Sequence, residues 1–147
     1  MAVNAVGKRI VTVLWVGSLW TVGLMVAPML FATLEDRAQA GQIAGALFTL
    51  ESYLGMVCGL CLLMFAWAEG RLRRLGAGLV LAMILVTVVG EFGLQPAMAA
   101  LKQQGLTDGT AFTRLHRAAS ALYLSNCLLG LALVVFDGDR PNGIREA

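Results

Sequence analysis

The chain has 147 residues, of which 59% are hydrophobic and 14% charged, and its formal net charge is +2. With a mean hydropathy of +0.78, this composition belongs to membrane proteins rather than the soluble class, and nothing in it suggests nucleic acid. The small basic excess is spread over several loops and interleaved with acids, so it points to no polyanionic partner.

Bilayer hydrocarbon is roughly 30 Å thick, and a helix needs about 20 predominantly apolar residues to cross it. Ile10–Leu34 and Ala118–Phe136 carry no charge, while Ser52–Ala68 and Leu75–Gly90 are shorter clean runs that extend past one acid each, Glu51 and Glu91. The expected fold class is therefore all-α integral membrane: an antiparallel four-helix transmembrane bundle in which residues 1–147 form a single membrane domain. The helices are predicted over residues 7–34, 39–68, 75–101 and 111–136, with a polar tail over 137–147. Ala38-Gln39-Ala40 has the small-x-small pattern of a cleavage site. The apolar run before it exceeds the about 7–15 residues of a signal-peptide core, so it reads as a membrane helix.

In the first helix, Pro28 removes a backbone donor near the outer end and predicts a kink. The second helix carries Gly41-x-x-x-Gly45 and Gly55-x-x-x-Gly59, a spacing that puts each pair on one face where another backbone can approach. That approach predicts packing inside the bundle, with a homodimer as the other use of the same face. A basic loop, Glu69–Arg74, leads to the third helix, which contains Thr87, Gly90, Glu91 and Gln95 before Pro96. After a glycine-containing loop, Thr110 is predicted to cap the fourth helix. Lys8, Arg9, Arg71, Arg73, Arg74, Arg140 and Arg145 fall on one side of this arrangement, and Arg37, Lys102, Arg114 and Arg117 on the other. The bias predicts both termini in the cytoplasm.

Counting from the inner helix ends at 1.5 Å per residue puts Pro28, Glu51, Glu91 and Ser120 in one layer roughly 25–27 Å up, with His116 one turn higher. On the last helix, Phe112, His116, Ser120, Tyr123 and Cys127 share a face, with Asn126 beside them. Acids inside a membrane span are costly and face protein or a water-filled cavity. The pattern predicts an outward-opening polar pocket lined by Glu51, Glu91 and His116, with Gln95, Ser120, Tyr123 and Asn126 as secondary contacts. Such a pocket suits a small solute or a proton, or a divalent metal held by two carboxylates and an imidazole. The competing reading pairs each acid with Arg37, Arg114 or Arg117 at the headgroup level.

A second set, Cys58-x-x-Cys61 with Cys127 and Met64 or Met83, offers soft ligands for Cu(I). These cysteines lie inside the spans, where packing is the simpler use. A single histidine excludes bis-histidine haem ligation within one chain. No phosphate-binding glycine loop, serine–histidine–acid set or zinc-finger spacing is present, so no catalytic residue is assigned, an enzyme is not indicated and no cofactor is expected beyond a metal ion. The expected partners are the lipid bilayer and a second copy or another membrane protein, with no nucleic acid.

Ala27-Pro28-Met29-Leu30-Phe31, the glycine-rich start of the second helix with Gly41, Gly45 and Phe48, and Phe112-x-x-Leu115-His116-x-x-x-Ser120 at the start of the fourth together resemble a four-helix membrane family of unknown function related to eukaryotic transmembrane protein 205. The resemblance spans about residues 8–136. It implies four membrane helices and, for bacterial members, a multi-pass inner-membrane location. A weaker similarity to copper-resistance and haem-biosynthesis four-helix membrane families carries no chemistry over, because those families place histidines on early helices and His116 stands on the last. The matching positions Pro28, Phe31, His116 and Ser120 are candidates for fold as much as for function. The functional expectation is binding or passage of a small solute or ion in the polar pocket. The alternative is a non-catalytic scaffold or assembly factor for another membrane protein.

Overall fold

A computed structural model describes residues 2–70 and 74–138, and the side chains of 4–70 and 74–136. Among the described residues there are helices and no strands. Four helices are long and apolar enough to cross a membrane: α1 (Asn4–Thr33), α2 (Arg37–Ala68), α3 (Leu75–Gln103) and α4 (Thr110–Phe136), with mean hydropathies between 1.8 and 2.2. Helical backbone begins at Ala2, ahead of the expected start near Gly7, and α4 continues to Gly138.

Local chemistry explains the ends. The Asp36 carboxylate accepts from Ala38 N at 2.8 Å and Gln39 N at 3.3 Å, satisfying first-turn donors and starting α2 at Arg37 rather than Gln39. Gly105, at φ 69°, closes α3. Its N–H reaches Lys102 O at 3.1 Å and Leu106 N reaches Leu101 O at 3.0 Å, a left-handed termination that glycine adopts without a Cβ penalty. Thr110 lies within the first turn of α4 instead of capping it.

The kink expected at Pro28 takes a specific form, and it occurs twice. Thr21–Val26 and Val89–Leu94 are π-helical, and each is followed within one turn by a proline, Pro28 or Pro96. Proline lacks an N–H and its ring crowds the carbonyl four residues back, so widening the preceding turn relieves the clash without breaking the helix. The widened turns of α1 and α3 both border the interior space described below.

Consecutive helices run antiparallel, and α3 packs on α2 and α4 while α1 packs on α2 and α4. At one end Lys8 Nζ donates to Glu69 Oε2 at 2.7 Å, joining the start of α1 to the end of α2. Arg71, Arg73, Arg140 and Arg145, on which the predicted orientation draws, lie outside the described residues, as does the tail beyond Gly138. The tightly packed core occupies this half of the bundle: Trp15, Leu19, Cys58, Leu62, Val80, Met83, Cys127 and Leu133 are buried together. Gly55 and Gly59 make room for it. A Cβ on Gly55 would lie 2.6 Å from Trp15 Nε1, and one on Gly59 would lie 2.7 Å from Ile84 Cγ1. Large apolar side chains such as Val57, Leu85 and Leu128 point outward, as surfaces facing hydrocarbon require.

A candidate binding cavity between the four helices

Toward the other end the helices separate around a cavity of about 1410 Å³. Its lining runs along α1 from Trp15 to Phe31, about 24 Å of helix, and ends among Asp36, Arg37 and Asp108 at the loops joining α1 to α2 and α3 to α4. Glu51, Glu91, Gln95, His116, Ser120, Tyr123 and Asn126 all line it.

Glu51 is 5% exposed. Ser18 Oγ lies 3.0 Å from Glu51 Oε1 and 2.9 Å from Trp15 O, so its single proton is shared between two acceptors. Among the described residues no cation lies within ion-pair distance of Glu51 or Glu91, and Arg37, Arg114 and Arg117 do not pair with them. The arginine pairs expected in the competing reading do not form at either acid among the described residues. Glu51 sits too deep for the arginines at the helix ends to reach.

Asn126, 4% exposed, donates from Nδ2 to Thr87 Oγ1 at 3.0 Å, and Thr87 donates to Met83 O at 2.9 Å. Asn126 Oδ1 is buried without a partner. Tyr123 reaches across to α1, donating to Leu19 O at 2.6 Å, and its ring meets Phe48 edge-on at 4.9 Å. This crossing depends on Gly23 in the π-helical turn, because a Cβ there would collide with the Tyr123 ring. Gln95 Nε2 lies 3.4 Å from Thr49 Oγ1. His116 and Ser120 stand nearer the mouth and are exposed. The imidazole stacks on Phe112 at 6.2 Å and 8°, and Ser120 Oγ donates to its own helix at His116 O.

These partners correct the single-layer arrangement. Glu51 meets Ser18, not the level of Pro28, and His116 lies toward the mouth, so the polar groups are spread over the height of the cavity. Counting from charged helix ends takes no account of long side chains such as Lys8, which reaches Glu69, or of the Phe65 ring, which reaches Gly7 from a position one turn earlier on α2. Among the described residues no three His, Cys, Asp or Glu side chains come together as a metal site, which applies to Glu51, Glu91 and His116 and equally to Cys58, Cys61 and Cys127. The cysteines are free, and Cys58 and Cys127 fill the core beside Met83.

Gly41 and Gly45 line the cavity rather than a helix contact. A Cβ on Gly41 would meet nothing within 4 Å, and on Gly45 only Lys102 Nζ at 3.8 Å. Pro28 lines the same space. Sequence reasoning missed Ser18 and Trp15 as parts of the floor. The available signal was a hydroxyl one turn after a tryptophan, on the same face of an apolar helix.

Residues 10–107 match the family described as a domain of unknown function (DUF4149), and the chain belongs to that family. No curated protein and no solved structure matches it. The family match takes in Ser18, Glu51, Thr87, Glu91 and Gln95, while His116, Ser120, Tyr123 and Asn126 lie beyond it.

Proposed function

We propose that this member of the DUF4149 family binds a small solute in the cavity between its four helices, admitted from the end that carries the α1–α2 and α3–α4 loops. The observation that carries the reading is Glu51, a buried acid on a membrane helix with one shared hydroxyl as its donor and an open cavity of about 1410 Å³ beside it. An ionisable group at such depth is costly unless it serves water or a ligand, and the space is ample for a molecule of drug size, for which pockets of about 300–1,000 Å³ are usual. In this reading the chain lies in a bacterial inner membrane, as the resemblance implies, with both termini cytoplasmic, an orientation supported by the lysine and arginine distribution. Kinship with the transmembrane protein 205 family belongs to the same reading and is supported by the Ala27–Phe31 and Leu115-His116-x-x-x-Ser120 elements. The scaffold alternative draws less support, since Gly55 and Gly59 are covered by Trp15 and Ile84 within one chain and Gly41 and Gly45 turn to the cavity.

The test is cysteine accessibility in lipid nanodiscs. Ala119→Cys and Ser120→Cys, which line the cavity, should react readily with a small charged thiol reagent. Val57→Cys, outward-facing and 59% exposed in the dry protein, should be shielded by lipid. Mass spectrometry identifies the modified cysteine against the three native ones. Labelling of the cavity positions as slow as that of Val57→Cys would mean a chamber closed to water, and the reading would fall.

A further inference from the structure

We infer that the solute is an organic cation, an ammonium group carried on an apolar body. The inference rests on the cavity reading and adds the chemistry of its occupant.

Charge is distributed unequally along the cavity. Every basic residue that lines it, Arg37, Lys102 and His116, belongs to the mouth half, where Asp36 and Asp108 also stand. The deeper charged groups are both acids, Glu51 and Glu91, and neither has a cationic partner among the described residues. At the floor one further acceptor is buried beside the cavity, out of reach of its open space. The Thr87 hydroxyl spends its proton on Met83 O, so the amide atom facing it must be the Asn126 donor, which leaves Oδ1 unpaired on a residue 4% exposed. The other unpaired floor atom, Trp15 Nε1, is pressed toward Gly55 of α2 and is not presented to the open space. The deep part of the cavity therefore presents acids, and no fixed cation, to an incoming donor.

The walls select among donors. Trp20, Phe31, Phe48, Phe112 and Tyr123 surround the same space, and aromatic faces attract cations. An inorganic divalent ion needs several converging oxygen, nitrogen or sulfur ligands, and no such group exists among the described residues. An anion would meet two acids, and a neutral solute would make no use of their charge. A substituted ammonium satisfies both ends of the problem: its N–H groups meet Glu51, and its carbon body meets the rings. The same chemistry is carried by a free amine and by an ethanolamine lipid headgroup.

The experiment uses the full chain as the Trp67→Phe variant, so that emission comes from Trp15 and Trp20 in the cavity wall. In dodecyl maltoside, which has no ammonium group, it is titrated with 2-phenylethylammonium, 2-phenylethanol and phenylacetate, one ring with charges of about +1, 0 and −1 at neutral pH. The expected result is saturable binding of the ammonium about tenfold or more tighter than the alcohol, with no binding of the carboxylate. Glu51→Gln should abolish that preference while retaining the alcohol's weaker binding, which reports an intact fold. Competition by added phosphatidylethanolamine would identify the headgroup as the source, and its absence a free amine. Equal binding of ammonium and alcohol, a preference that survives Glu51→Gln, or no saturable binding at all overturns the cation class. The cavity reading stands or falls separately on the labelling of Ala119→Cys and Ser120→Cys.

Discussion

Asn126 Nδ2 donates to Thr87 Oγ1 at 3.0 Å across the packed faces of α3 and α4. Both residues are buried, so the bond has little competition from water, yet in membrane bundles such pairs contribute about 0.6 kcal/mol on average and up to about 1.7. Thr87→Val should lower stability by about 1 kcal/mol, seen as a fall of a few degrees in Tm in detergent. Combined with Asn126→Ala it should be non-additive, since each variant removes the same bond. Full additivity would show that the two side chains do not interact.

The two glycine pairs of α2 should respond oppositely to a methyl group. Gly55→Ala places a Cβ against the Trp15 indole, the largest fully buried side chain beside Met83, and overpacking of this kind costs about 1–3 kcal/mol. Gly41→Ala meets open space and should stabilise by up to about 1 kcal/mol through helix propensity. Thermal unfolding of the two variants side by side decides it, and a shared sign would mean the α1–α2 contact differs from the one described.

Tyr123 and Gly23 form a matched pair across α1 and α4. Tyr123→Phe keeps the ring and removes the hydroxyl that reaches Leu19 O at 2.6 Å, with an expected loss of about 1 kcal/mol. Gly23→Ala drives a Cβ into that ring and should cost more, with part of the loss recovered when Tyr123 is also changed to Ala. No recovery in the double variant would place the defect in the π-helical turn itself.

Zinc or Cu(I) should raise Tm by no more than a degree or two at tens of micromolar. No triad of metal-ligating side chains converges among the described residues, and a site binding the folded state at a hundred times its Kd would stabilise by about 2.7 kcal/mol. Calorimetry on wild type and on His116→Ala, Glu51→Gln and Glu91→Gln checks this directly. Stoichiometric binding lost in all three would reinstate the Glu51, Glu91 and His116 set.

Much of the architecture was determined by the sequence alone, because membrane insertion is read from local quantities. Uncharged length defines α1 and α4, a single acid inside an apolar run does not interrupt α2 or α3, and segments that carry charge, with glycine in two of the three loops, end each helix. Glu51, Glu91, His116 and Asn126 could be singled out for the same reason, as polar groups in segments where polarity is expensive.

The tertiary structure alone decided which of these groups meet. Levels counted along separate helices at a constant rise do not account for tilt, for side chains as long as Lys8, or for the π-helical turns before Pro28 and Pro96. Glu51 therefore finds Ser18 rather than His116. Whether a glycine face closes on a neighbour, as at Gly55, or opens on a cavity, as at Gly41, depends on the neighbour's side chain, Trp15 in one case and none in the other. Such contacts are set between helices far apart in the chain, and no periodicity within one helix encodes them.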